Sequence, residues 1–215
     1  GQLIPYYADP GAHIKNDKVT VADTAICDVA EIGLIGKHNW QNVCAAVTAV
    51  WAISQDLDAI KHVITTTKNL PFRTEKTTDL HGVSIYNDSF ATAPDATLAA
   101  AHAVPEEKIL MIGGYDRGND LENFAKELKR VPSLKKVVIY GQSASRIAAA
   151  LKQNDFDNYR VLDGPFDQIV RTALELCHDG DALVFSPGFA SFDMFKNFED
   201  RGIQFNQIIS ELGNE

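Results

Sequence analysis

The residues best equipped for chemistry gather in short runs rich in Gly, Ser, Asp and Asn, each following an apolar stretch: NDSFATAP, GGYDRGND, YGQSAS, DGPFDQ and FSPGFASFD. Arg117 in the second run offers a guanidinium that could meet a carboxylate, although base rates favour a solvent-exposed loop arginine. The last run says more. Ser191 is expected to cap a long helix starting at about Phe192, in which Phe195, Phe198, Phe205, Ile209 and Leu212 recur at core spacing. The N–H groups of Phe192 and Asp193 would then point outward as an anion site. Gly, Ser and Asp are also ordinary turn and cap residues, and on this ground alone Asp88 is a turn residue.

Such loops need regular elements to hold them. From residue 70 onward apolar strands alternate with amphipathic helices: GVSIYND then PDATLAAAHAV, KILMIGG then DLENFAKELKRV, KKVVIYG then SASRIAAALKQ, YRVLDG then FDQIVRTALELC, and DALVFSPG then the final helix. This alternation predicts a doubly wound, mostly parallel Rossmann-like α/β sheet with helices on both faces. It places the polar runs at the carboxyl ends of the strands, where such sheets bind ligands. Residues 70–215 are read as that domain. Residues 1–69 carry short β-like pieces, KVTVA and AEIGLI, then two helices, NVCAAVTAVWAIS and DLDAIKHVITTT. They look like the edge of another domain whose remaining strands lie upstream, so the chain is expected to be a fragment.

The bulk composition narrows the partners. In 215 residues, 45% hydrophobic content supplies ample core, and a net charge of -9 without a basic block argues against nucleic acid. The longest apolar run, near residues 43–53, is too short and interrupted to span a bilayer, and no export leader is visible. Cys27, Cys44 and Cys177 are widely spaced, with no zinc pattern, and read as buried thiols in the reducing cytoplasm; a disulfide is the disfavoured alternative. No metal site is expected in this chain. There is no G-x-G-x-x-G fingerprint or hydrolase arrangement, and Gly36-Lys37, followed by His38, is not a Walker loop.

Four segments in this order resemble the carboxy-terminal half of the Mur ligases: GKHNWQN at 36–42, LPFRTE at 70–75, YNDSFATAPDAT with the later GGYDRGND, and SPGFASFDMFKNFEDRGIQF at 186–205. The last is similar to the D-glutamate-adding branch in particular. The resemblance implies a three-domain enzyme of peptidoglycan synthesis. ATP, with Mg2+, phosphorylates the carboxylate of UDP-N-acetylmuramoyl-L-alanine, and the amine of D-glutamate attacks the acyl phosphate. Residues 1–69 would be the edge of the central ATPase domain and 70–215 the amino-acid-binding domain. Lacking the phosphate loop, this piece is expected to be inactive alone, and the enzyme to be monomeric.

The resemblance also implies roles. Asn39 and Asn42, three apart on one helix face, would bind the adenine; Arg73 would reach the ribose or phosphates, and Asp88 the ribose hydroxyls. Thr92 and Arg117 would hold the α-carboxylate of D-glutamate. Ser191, with backbone N–H groups near Phe192 and Phe198, would hold its side-chain carboxylate, and His38 would serve packing or a hinge. No residue of this piece is expected to be catalytic. Three positions depart from the family pattern, which usually has His at Phe72, Lys at Phe90 and Lys at Arg117. Phe72 and Phe90 support a second class of function, a non-catalytic relative that binds an amino acid or nucleotide.

Overall fold

The computed structural model describes residues 3–214, which divide into two compact units at Asn69 and Leu70. The first opens with an antiparallel sheet of three strands, β1 (His13–Lys15), β2 (Lys18–Val21) and β3 (Thr24–Asp28). Its two hairpin turns, Asn16-Asp17 and Ala22-Asp23, have positive φ at both central residues, the turn whose twist suits tight hairpins. The expected strand AEIGLI is absent. Asp28 instead starts a 3-10 turn over Val29–Glu31, and Gly33 follows with its N–H on the Ile64 carbonyl at 3.1 Å. The strand of this region is TAICD, whose Ile26 and Cys27 are buried.

Helices α1 (His38–Trp51) and α2 (Leu57–Thr66) follow, the second capped by Asp56, which accepts the Ala59 N–H at 3.0 Å. Val43, Cys44 and Val47 of α1 and Ile60 and Ile64 of α2 pack with Val19, Val21, Ile26 and Cys27 into a small core. The cysteines are free: burial pushes the Cys44 thiol up to about 11 and that of Cys177, in the second unit, up to about 12. Such thiols are poor nucleophiles.

The second unit is a six-stranded sheet of order β4-β5-β9-β6-β7-β8. Strands β5 (Val83–Asn87), β6 (Lys108–Gly113), β7 (Leu134–Tyr140), β8 (Tyr159–Val161) and β9 (Ala182–Phe185) run parallel, and β4 (Glu75–Leu80) pairs antiparallel at the edge. Central strands β6 and β9 are buried at every position, as a sheet covered on both faces requires. The covering helices are α3 (Pro94–Ala103), α4 (Glu122–Leu128) and α5 (Ala144–Gln153), which pack in series, and α6 (Phe166–Glu175), which packs on α7 (Phe198–Leu212). Strand β9 enters last yet lies between β5 and β6, so the loop that follows it is flanked by the loops of both neighbours.

Strand β4 was invisible to the apolar pattern because only Leu80 of EKTTDL is buried. Its edge position tolerates polar side chains, and its turn, His81-Gly82, again has both φ values positive. Among the described residues no helix is long and apolar enough to cross a membrane.

Candidate functional site

Three loops meet at the carboxyl end of the parallel strands, and backbone hydrogen bonds zip them together. Asp88 after β5 donates its N–H to the Phe185 carbonyl of β9 at 2.7 Å, and Gly188 donates back to Ala91 at 2.9 Å. On the other side Gly113 of β6 donates to Pro187 at 2.9 Å and Tyr115 to Ala190 at 2.8 Å. Gly113, with φ +138, passes so close to the neighbouring strand that any Cβ would strike the Tyr140 carbonyl. The sequence run Ser186–Ala190 is thus a hub tied to both neighbours.

Beneath the hub lies Arg201 of α7, fully buried. Its Nε donates to Ser89 Oγ at 3.0 Å, Nη2 to the Ser89 carbonyl at 2.8 Å and Nη1 to the Phe189 carbonyl at 3.0 Å. One planar fork therefore joins the loop after β5 to the loop after β9. Burial lowers the guanidinium pKa and the charge of Asp193 works against that shift. Asn87 continues the tie, donating from Nδ2 to the Gly202 carbonyl and to Asn206 Oδ1, while Ser89 Oγ donates to the Phe198 carbonyl at 2.8 Å.

The long helix does not begin at Phe192, and Ser191 is not its cap. Helix α7 starts at Phe198, because Asn197 accepts the Asp200 N–H at 2.7 Å and fixes the start there. Residues 191–197 form turns instead, with Met194 and Phe195 donating to the Ser191 carbonyl. The aromatic spacing of the segment is met without a helix: Phe195 packs edge-on to Phe166 at 4.8 Å. The hydroxyl of Ser191 and the N–H groups of Phe192 and Asp193 have no hydrogen-bond partner among the described residues. Asn197→Ala is expected to lower stability by about 1 kcal/mol in a denaturant titration, the usual loss for a cap.

Arg117 faces this segment through its side chain, the guanidinium 5.6 Å from the Phe192 ring centre. The loop carrying it is pinned by Asp116, which accepts Arg146 at 2.5 and 2.7 Å through its two oxygens and the Gly118 N–H at 2.8 Å. The Arg146 hydrogen bond holds the Asp116 carboxyl below its usual range. Next to Phe192 a cleft of about 630 Å³ opens between Tyr115, Gly141, Gln142, Asp163, Gly164 and Asp193.

Asp88 is buried, with Oδ2 accepting Ser186 Oγ at 2.6 Å and Oδ1 accepting the Thr74 N–H at 2.8 Å and its hydroxyl at 3.2 Å. Burial pushes its carboxyl up to about 6, against the pull of those hydrogen bonds and the Arg73 charge. Oδ1 is filled by the two Thr74 donors, and Oδ2 retains lone-pair capacity toward a further donor. Arg73 is exposed and lies over Phe90, and Phe90 meets Phe198 edge-on at 4.7 Å.

The family model described as Mur ligase, glutamate ligase domain matches residues 72–189, more than half of the chain. The chain belongs to the Mur ligase family. The UDP-N-acetylmuramoylalanine--D-glutamate ligase of Caldanaerobacter subterraneus subsp. tengcongensis is 33% identical over 94% of this Mur ligase chain and 45% of its own length. That of Pelotomaculum thermopropionicum is 36% identical over 87% of this chain and 40% of its own. The chain therefore spans less than half the length of these relatives. The fold is shared with the MurF ligase of Thermotoga maritima solved with ADP, at TM-score 0.61 and 14% identity over 98% of this chain and 46% of that one.

Of the residues that sequence singles out in this chain, the structure joins two pairs, Arg117 with Phe192 and Asp88 with the segment around Arg73. Thr92 is exposed on the loop after β5 and makes no side-chain hydrogen bond among the described residues. Phe198 stands at the start of α7. In the first unit Asn39 and Asn42 share a face of α1, the Asn42 amide donating to Asn39 Oδ1 at 2.9 Å, and Asn39 donates to the Ile35 carbonyl at 2.7 Å. His38 opens the same helix and is exposed. Sequence reasoning missed Arg201, Asn87, Ser89 and Ser186. Arg201 left a signal: it interrupts the apolar stripe between Phe198 and Phe205 at a position facing the core.

Proposed function

We propose that residues 70–215 form the amino-acid-binding domain of an ATP-dependent ligase that adds D-glutamate to UDP-N-acetylmuramoyl-L-alanine in cytoplasmic peptidoglycan synthesis, through an acyl phosphate. The observation that carries this reading is that Arg117 faces the ring of Phe192, 5.6 Å from its centre, on a segment where the Ser191 hydroxyl and the Phe192 and Asp193 N–H groups have no partner among the described residues. A dicarboxylic amino acid needs two anion-binding groups held apart, and a forked cation near a set of fixed donors answers that need. In this reading Arg117 and Thr92 hold the α-carboxylate, while Ser191 and the N–H groups near Phe192 and Phe198 hold the side-chain carboxylate. Orientation of the amine then depends on loops that the buried Arg201 keeps in register.

ATP supplies the phosphoryl group that activates the acceptor carboxylate. Arg73, Asp88, Asn39 and Asn42 would contact it through a cation, a carboxylate and two amides. In this reading ATP and Mg2+ are held mainly by the remainder of the central domain, of which residues 1–69 are the edge. The proposed enzyme works as a monomer on small molecules.

Steady-state kinetics of the full-length protein test this division of labour. Ser191→Ala and Arg117→Ala should each raise KM for D-glutamate by about tenfold or more, the loss of a hydrogen bond to a charged group, with KM for ATP nearly unchanged. Equal effects on both substrates would refute the assignment.

A further inference from the structure

The segment Phe72-Arg73-Thr74 leads into β4 with a non-glycine residue in the left-handed region on either side of the arginine: φ is +62 at Phe72 and +45 at Thr74. For a bulky aromatic this is a costly conformation that persists only when its surroundings over-determine it. They do so here. Phe72 donates its N–H to Glu75 Oε2 at 3.0 Å and its carbonyl accepts the Phe90 N–H at 2.9 Å. Its ring lies against Gly202, where any Cβ would collide with it, and Thr74 gives both its donors to Asp88.

The backbone on both sides of Arg73 is therefore fixed, and its side chain ends over an aromatic face. The guanidinium carbon is 3.7 Å from the centre of the Phe90 ring, which is in turn braced edge-on by Phe198 at 4.7 Å. Phe90 is 38% exposed although a ring of this size would bury well. A guanidinium seated on a ring gains cation–π attraction through its face, while its N–H groups lie in the plane and are directed away from the ring.

We propose that Phe90 is a positioning residue for Arg73: its ring holds the guanidinium at the site mouth so that the donors meet the phosphate or ribose oxygens of a bound nucleotide. The inference rests on the reading of Arg73 as a nucleotide contact and adds the group that presents it. It also changes the meaning of an apolar ring where the family usually has lysine. A lysine introduced here would remove the platform and bring a second cation beside Arg73, so restoring the family residue is expected to impair this protein.

The test uses the full-length protein and three variants, with ATP varied at saturating D-glutamate. Phe90→Leu should raise KM for ATP about tenfold with kcat changed less than about threefold, Phe90→Trp should stay near wild type, and Phe90→Lys should be the worst. A Phe90→Leu or Phe90→Lys protein with wild-type KM for ATP would overturn the proposal. A second readout separates this failure from that of the ligase reading. In protein labelled with 15N-arginine, the Arg73 Nε–H signal should carry a ring-current shift that Phe90→Leu removes, and it should move on adding ADP. If turnover is absent but both shifts occur, the platform stands and the ligase assignment falls. If either shift is missing, the proposal is wrong.

Discussion

Arg201→Ala is expected to destabilise residues 70–215 by about 3 kcal/mol or more, because buried acceptors lose their donors and a large side chain leaves a void. The guanidinium is fully buried and satisfies the carbonyls of Ser89 and Phe189 together with the Ser89 hydroxyl. Those groups belong to two different loops, so the loss is not local. For a unit of this size the thermal midpoint should fall by roughly 6–12 °C. Arg201→Lys should recover little of it, since one ammonium on a flexible stem cannot reproduce three bonds made by a planar fork. Both variants should also weaken D-glutamate and ATP together, unlike Ser191→Ala. A midpoint within about 2 °C of wild type in Arg201→Ala would show that the fork is dispensable.

Asp88→Asn should separate stability from function. The carboxyl is raised from 3.8 to about 6 by burial, so the folded state holds its proton more tightly than the unfolded chain does. The stabilisation from that proton is fully present below about pH 4 and is lost as pH rises through about 6. Above that, the charged form is carried at a cost on the order of 3 kcal/mol. An amide has nearly the same shape and can keep the Thr74 donors on its oxygen and face Ser186 with its nitrogen. The variant should be about 1–3 kcal/mol more stable than wild type at pH 8, with the advantage vanishing near pH 4. Its KM for ATP should rise roughly 10- to 100-fold, the loss of a hydrogen bond to a charged acceptor. Denaturant titrations at the two pH values and initial rates check both halves; a variant destabilised at pH 8 would contradict the first.

The apolar rhythm from Val83 to Phe185 made the parallel sheet legible, because central strands such as KILMIG are buried on both faces and leave an unbroken hydrophobic record. Two pieces escaped that rhythm for opposite reasons. Strand β4 lies at an edge and needs only Leu80 inside, so its polar residues read as loop. Residues 191–197 read as helix because Phe195 and Phe198 have helical spacing, yet the Asn197 side chain sets the helix start later. At the site, Arg117, Ser191 and Asp88 were visible as loop residues with useful chemistry. Arg201 was hidden, since a charge in a helix is ordinarily solvated and only its place in the apolar stripe betrays burial. The partner of Phe90 was equally hidden: a cation–π stack between residues 73 and 90 has no sequence pattern and depends on two left-handed residues flanking the arginine.

The most direct test of the proposed function is phosphate release by the full-length protein with ATP, UDP-N-acetylmuramoyl-L-alanine and either D- or L-glutamate. Release that requires D-glutamate, is not supported by L-glutamate and falls at subsaturating D-glutamate in Arg117→Ala is the predicted result. Release that is indifferent to the amino acid, or absent from a folded protein that still binds ADP, would contradict it.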